Sequence, residues 1–172
     1  HLEPLFQQTA TMAILSNLAD QSLVEVSCTI DPKTLKNPEK IAEKMQEASA
    51  FAQIDSYRAS THNKGIMNGI DALALVSGND TRALDAGIHA YAARSGSYKG
   101  LSQWKHHNGK LYGSMILPIS VGTVGGTISL NPKAKLAHEI LGNPSKKELM
   151  TIIAAVGLAQ NFAALYALTT DG

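Results

Sequence analysis

Apolar and polar positions alternate most regularly between residues 22 and 30. Leu23, Glu25, Ser27 and Thr29 point one way and Val24, Val26, Cys28 and Ile30 the other, the period-two pattern of a half-buried strand. Asp31-Pro32 ends it. The apolar run MAILS at 12–16, joined to it by NLADQ, predicts an antiparallel partner strand. Asn37-Pro38-Glu39 reads as a helix start, with a capping side chain, proline at the first helical position and an acid near the positive end. Ile41, Met45, Ala48, Phe51 and Ala52 then recur at helical spacing, up to Asp55. Residues 57–80, YRASTHNKGIMNGIDALALVSGND, predict loop, strand, loop. They open polar, turn on Gly65 and Gly69, and run apolar from Ile70 to Val76 with only Asp71 intervening, as a strand covered on both faces would. A helix follows from Asn79 or Asp80 to about Arg94, with the stripe Ala83, Leu84, Gly87, Ile88, Tyr91 and Ala92. Asn108-Gly109 is a turn signal, and Leu111 to Ile119 reads as a strand. Pro132 to Leu141 is a short helix stopped by Gly142. Ser145 and Glu148 form a capping box that opens an alanine-rich helix running towards Thr169.

Composition narrows the class. In 172 residues, hydrophobic side chains make up 44% and charged ones 17%, the balance of a globular chain. The formal net charge of +1 and the lack of a Lys/Arg cluster with interleaved aromatics give no nucleic-acid or membrane surface. No apolar run reaches about 18 residues, so no spanning helix is expected. Cys28 is the only cysteine, which leaves no internal disulfide and points to a reducing, cytoplasmic setting. On the apolar side of its strand it reads as a small buried hydrophobe. His106 and His107 are adjacent and cannot face one metal from one helix, and no zinc-ligand spacing occurs.

The chemistry centres on Lys64. Kept cationic by Asp80, its amine would stabilise an oxyanion developing on a carbonyl substrate. Desolvated without a partner, it would fall in pKa and could form a Schiff base. The closeness of Asp80 in sequence favours the first role. Arg58 offers a fork for a carboxylate, and Asn63 and Asn68 offer amides, so the implied substrate is an anionic carbonyl compound. Gln160-Asn161 interrupts the apolar last helix, and two such amides either tie to neighbouring backbone or face a polar ligand. VGTVGG at 121–126 lets backbone approach a ligand, or simply turns the chain. It is not the GxGxxG of a dinucleotide fold.

Several blocks carry a resemblance. THNKGIMNGID with SGNDTRA, ILSNLAD at 14–20 with Ile14 opening it, GLSQW at 100–104, VGTVGG, and AAVGLAQNFAAL at 154–165 resemble the class II, bacterial-type 3-hydroxy-3-methylglutaryl-coenzyme A reductases, in the family's order and over nearly the whole chain. The resemblance implies an α+β fold: a large mixed helix and strand domain from residue 37 to 172, with residues 1–36 as the last part of a small ferredoxin-like cofactor domain. It implies reduction of 3-hydroxy-3-methylglutaryl-CoA to mevalonate and coenzyme A with two hydrides from NADPH or NADH, or the reverse, by a homodimer that shares its pockets and uses no metal. Lys64 matches the catalytic lysine and Asp80 the aspartate that orients it. Arg58 and Asn68 match residues that hold the glutaryl group, and Gln160 and Asn161 an amide pair beside the substrate. VGTVGG would lie near the active site, while the cofactor-binding residues are not assigned. The family's glutamate and its DAMGxN motif would fall before residue 1 and its leaving-group histidine after residue 172. The chain therefore reads as a fragment, inactive alone. Two rival readings are a non-catalytic module that dimerises or binds CoA thioesters, and a Schiff-base lyase using Lys64.

Overall fold

A computed structural model describes residues 3–35 and 37–170. Its elements are α1 (Glu3–Phe6), β1 (Leu23–Ile30), α2 (Pro38–Ile54), α3 (Ser56–Val76), α4 (Thr81–Ala92), β2 (Ser102–His107), β3 (Lys110–Pro118), α5 (Gly126–Leu130), α6 (Pro132–Ile140) and α7 (Lys146–Thr170). The strands form one antiparallel sheet in the order β1-β3-β2. Helices α2 and α7 pack on it and α4 on β3, while α3 packs on α2 and α7, so the class is α+β as expected. The β2–β3 hairpin turns on Asn108 and Gly109, both at positive φ (50° and 67°), which matches the right-handed twist of the strands.

The alternation in β1 is real: Val24 and Val26 are buried, while Leu23, Glu25, Ser27 and Thr29 face out. Its partner is not the run at 12–16. Those residues form no strand, and Met12, Ile14 and Leu15 are exposed. β1 pairs instead with β3, from Leu23 opposite Pro118 to Ile30 opposite Leu111. β3 supplies eight partners and an alternating buried face, which a five-residue run cannot match. This pairing also places Val24 and Val26 in the same core as Met45, Leu111 and Ile153.

The larger correction concerns residues 57–80. Ser56 to Val76 is one continuous helix, not loop, strand, loop. Asp55 caps it by accepting the Arg58 amide at 2.6 Å. The run that reads as a strand, IDALALV, is made mostly of Ala and Leu, strong helix formers, and no proline interrupts the 21 residues. Gly65 and Gly69 do not turn the chain. They let α7 approach: a Cβ at Gly69 would stand 3.1 Å from both the Gln160 Cβ and Val156 Cγ1. Gly157 of α7 reciprocates, lying against Ile70 and Ile66. Asn37 also departs from expectation. It sits at φ 47°, ψ 65°, and its side chain makes no capping bond, so proline and the first-turn acid alone mark the start of α2.

The capping box holds: the Ser145 amide donates to Glu148 at 2.7 Å, and the Glu148 amide to the Ser145 hydroxyl at 3.3 Å. That α7 could not span a membrane needs correcting. By length and apolar composition it is sufficient. Here it is a core helix, with Leu149, Ile153, Ala154, Leu158 and Leu165 buried against α2, α3 and the sheet.

Candidate functional site

The helical spacing of α3 divides its residues by face. Ala59, His62, Asn63, Ile66, Met67, Ile70 and Ala74 point into the protein. Thr61, Lys64, Asn68 and Ala72 point out. α7 lies antiparallel to α3, because Gly65 approaches Ala164 while Gly69 approaches Gln160. Gln160 is exposed on α7 against Gly69, at the seam between α3 and α7, and Lys64 and Asn68 stand one turn apart on the exposed stripe of α3. Arg58, half-buried, stands at the start of the same helix, and burial lowers its guanidinium pKa. The fold thus puts Lys64 and Asn68 on one exposed stripe of α3, Arg58 at the start of that helix, and Gln160 on the neighbouring helix α7.

Asn161, next to Gln160, points the other way. It is buried, and its amide oxygen accepts from Trp104 Nε1 at 2.8 Å and from the Ser102 hydroxyl at 2.7 Å. Ser102 Oγ also lies 2.7 Å from His62 Nε2. Of the two amides, one faces the seam and the other ties α7 to β2 and α3. Asn63, fully buried, clamps the loop before β2, donating to Lys99 O at 2.8 Å and accepting from Leu101 N at 2.9 Å. The polar network on His62, Ser102, Trp104 and Asn161 was missed in the sequence, since a loop reading of 57–69 left His62 on the surface. Read as a helix, the same residues would have shown a buried histidine needing partners.

Asp80 is elsewhere. It caps α4, accepting the Arg82 and Ala83 amides at 3.0 and 3.2 Å, and its side chain is exposed. Twelve residues of helix separate Lys64 from the end of α3, about 18 Å at 1.5 Å per residue. The chain leaves α3 through Gly78 at φ 77°, with the Asn79 amide bonded back to Ala74 O, and α4 then packs back on α3. Asp80 stays at the far end, and the two side chains do not meet within one chain. Its neighbour there is the Gly-rich loop. Asn79 donates to Gly122 O at 3.2 Å and accepts from Gly122 N at 2.7 Å. That loop feeds α5, a five-residue helix, rather than the strand–turn–helix of a dinucleotide cradle. It is not assigned to a cofactor.

Two further side chains are accounted for. His89 is structural: its Nδ1 lies 2.6 Å from the Tyr98 hydroxyl and its Nε2 3.8 Å from Asp85. Cys28 is partly buried, and burial pushes its thiol pKa up, away from reactive thiolate.

Burial, with the nearby Arg58 cation, lowers the His62 pKa to about 4. The unfolded chain binds a proton near pH 6.5 that the folded chain refuses. This group therefore withdraws stability as pH falls from about 6.5 towards 4, the loss being complete below the folded value. Thermal unfolding should show His62→Gln losing less melting temperature than the parent between these pH values. Parallel losses would contradict a neutral buried His62.

Known proteins resemble the chain over its whole length. The family model described as hydroxymethylglutaryl-coenzyme A reductase matches residues 1–172. The chain is 46% identical over 162 residues to the 3-hydroxy-3-methylglutaryl-coenzyme A reductase of Archaeoglobus fulgidus, covering 94% of this chain and 37% of that protein. It is 38% identical over 171 residues to a probable reductase of the same name from Borreliella burgdorferi, covering 97% and 40%. A solved structure of the Streptococcus pneumoniae reductase superposes with a TM-score of 0.95 at 52% identity, covering 99% of this chain and 42% of that one. A second, of the class II enzyme from that organism bound to NADPH in open conformations, gives 0.94 at 53%, covering 98% and 47%. The chain thus spans less than half the length of these relatives.

Proposed function

Because the chain belongs to the hydroxymethylglutaryl-coenzyme A reductase family, we propose that the complete protein reduces 3-hydroxy-3-methylglutaryl-CoA to mevalonate and coenzyme A with two hydrides from NADPH or NADH, or runs the reverse reaction. What supports this best is the pattern along the α3–α7 seam: Lys64 and Asn68 share the exposed stripe of α3, Arg58 opens that helix, and Gln160 is exposed on α7 where it packs against Gly69. The cofactor, when bound, supplies hydride. Lys64 opposes the negative charge that appears on the carbonyl oxygen as the thioester is reduced. Arg58 holds the substrate carboxylate through its planar fork, and Asn68 and Gln160 orient the remaining polar groups. Asn161 serves the site from behind, by fixing the helix that carries Gln160.

Asp80 enters this scheme from a second copy of the chain. One chain carries two partial sites, the Lys64 seam and the Asp80 end with its Gly-rich loop, too far apart to act together. A homodimer can bring the seam of each copy to the Asp80 end of the other, so that two whole sites form. Apolar side chains suited to such an interface surround the Asp80 end. Val124, Leu130 and Ile140 are 85%, 84% and 77% exposed, and Leu75 and Val76 close α3 beside them. With the matched glutamate, histidine and DAMGxN motif outside this stretch, the purified 172-residue chain should give no thioester-dependent oxidation of NADPH or NADH, whereas the complete protein should. Turnover by the short chain alone would mean that these residues suffice. No turnover by the complete protein would refute the assignment.

A further inference from the structure

The buried network under the seam has a definite direction. Trp104 Nε1 can only donate, so the Asn161 oxygen must face it. The Ser102 hydroxyl spends its one proton on that same oxygen. Ser102 Oγ can then only accept at its 2.7 Å contact with His62, and the imidazole proton must sit on Nε2. The Asn161 amide nitrogen, 3.3 Å from Nε2, is left as a contact between two donors rather than a bond. His62 Nδ1 becomes a bare lone pair, buried and with no partner among the described residues. An orphaned acceptor of this kind is costly unless something uses it. One helical turn before it, on the same side of α3, stands Arg58.

We propose that His62 is a positioning residue for Arg58: the chain Trp104–Asn161–Ser102 locks its Nε2–H tautomer and leaves Nδ1 as an acceptor for the guanidinium. Holding one N–H edge of Arg58 restricts its rotamers and presents the remaining fork to a carboxylate. A neutral imidazole does this without adding positive charge beside it. The inference rests on the reading above that Arg58 holds the substrate carboxylate.

The test uses the complete reductase. His62→Gln keeps a donor to Ser102 and removes the Nδ1 acceptor. It should fold, raise the KM for the thioester about tenfold, and leave kcat within about twofold. Since it acts only through Arg58, adding it to Arg58→Ala should raise KM no further. Ser102→Ala frees the tautomer without altering α3 and should give the same split, which keeps the test available if His62→Gln misfolds. Nitrogen-15 NMR of the parent should show Nε2 protonated and Nδ1 bare at neutral pH. Effects of His62→Gln that add to those of Arg58→Ala, or a proton on Nδ1, would overturn the inference. If Arg58→Ala raises KM while His62→Gln and Ser102→Ala do not, only the positioning role fails. If Arg58→Ala leaves KM unmoved, the carboxylate reading fails and this inference falls with it.

Discussion

Lys64→Ala in the complete enzyme should lower kcat by about 10² to 10³ while the KM for the thioester moves little. The charge that Lys64 opposes is larger in the transition state than in the bound thioester, so its interaction is realised mainly there. The position of Lys64 on α3 supports this. It leaves the protein on the exposed stripe beside Asn68, on a helix fixed at one end by the Asp55 cap and along its length by Gly69 and Gly157 packing. A donor on so constrained a backbone needs little rearrangement as charge develops. Arg58→Ala should show the opposite emphasis, raising KM more than it lowers kcat, because a carboxylate contact is present throughout the reaction. Steady-state kinetics of both variants distinguishes these roles. Near-normal kcat with a raised KM for Lys64→Ala would make Lys64 a binding residue and displace it from the centre of the mechanism.

The largest structural effect is expected at Trp104. Its side chain is 2% exposed, lies over Gly113 of β3, and packs near Phe162 of α7 at 5.5 Å between ring centroids. A Cβ on residue 113 would overlap its ring, so the glycine exists to seat it. Trp104→Ala would open a cavity between sheet and helix and should cost about 3–5 kcal/mol. It would also leave the Asn161 oxygen one donor short. Trp104→Phe keeps most of the volume and loses the donor, so it should cost about 1–3 kcal/mol. Urea unfolding of the three proteins checks the ranking. Equal midpoints for Trp104→Phe and the parent would mean that the indole hydrogen bond contributes nothing net.

Much of the fold is legible where local signals act alone. The strand at 23–30, the hairpin at Asn108-Gly109, the proline-led starts of α2 and α6 and the capping box of α7 all announce themselves through side chains within a few residues. The failures come where distant chain decides. IDALALV is as apolar as a buried strand, and only α7 packing on Gly65 and Gly69 shows that the glycines are contact points rather than turns. MAILS could pair with β1 on pattern alone, but β3 offers the longer ladder. The same distinction governs the site. Residue types at Arg58, Lys64, Asn68 and Gln160 are readable, and the exposed stripe shared by Lys64 and Asn68 follows once α3 is a helix. Sequence proximity of Lys64 and Asp80 suggests an ion pair, yet a rigid helix turns sixteen residues of chain into separation rather than contact. The division of labour within Gln160-Asn161 is equally invisible without Ser102 and Trp104 beside it.

Co-expression of two inactive variants tests the shared site most directly. Asp80→Asn still caps α4, as asparagine does so as well as aspartate, but no longer offers a charge to lysine. In a mixed dimer of Lys64→Ala and Asp80→Asn chains, one of the two sites draws Lys64 from one chain and Asp80 from the other, both intact. Random pairing then makes about a quarter of all sites functional. The predicted result is therefore thioester-dependent oxidation of the nicotinamide cofactor restored to about a quarter of the parent rate, with each variant nearly inactive by itself. If the mixture stays as inactive as its components, Lys64 and Asp80 do not serve one site from two copies of the chain, and the account is contradicted.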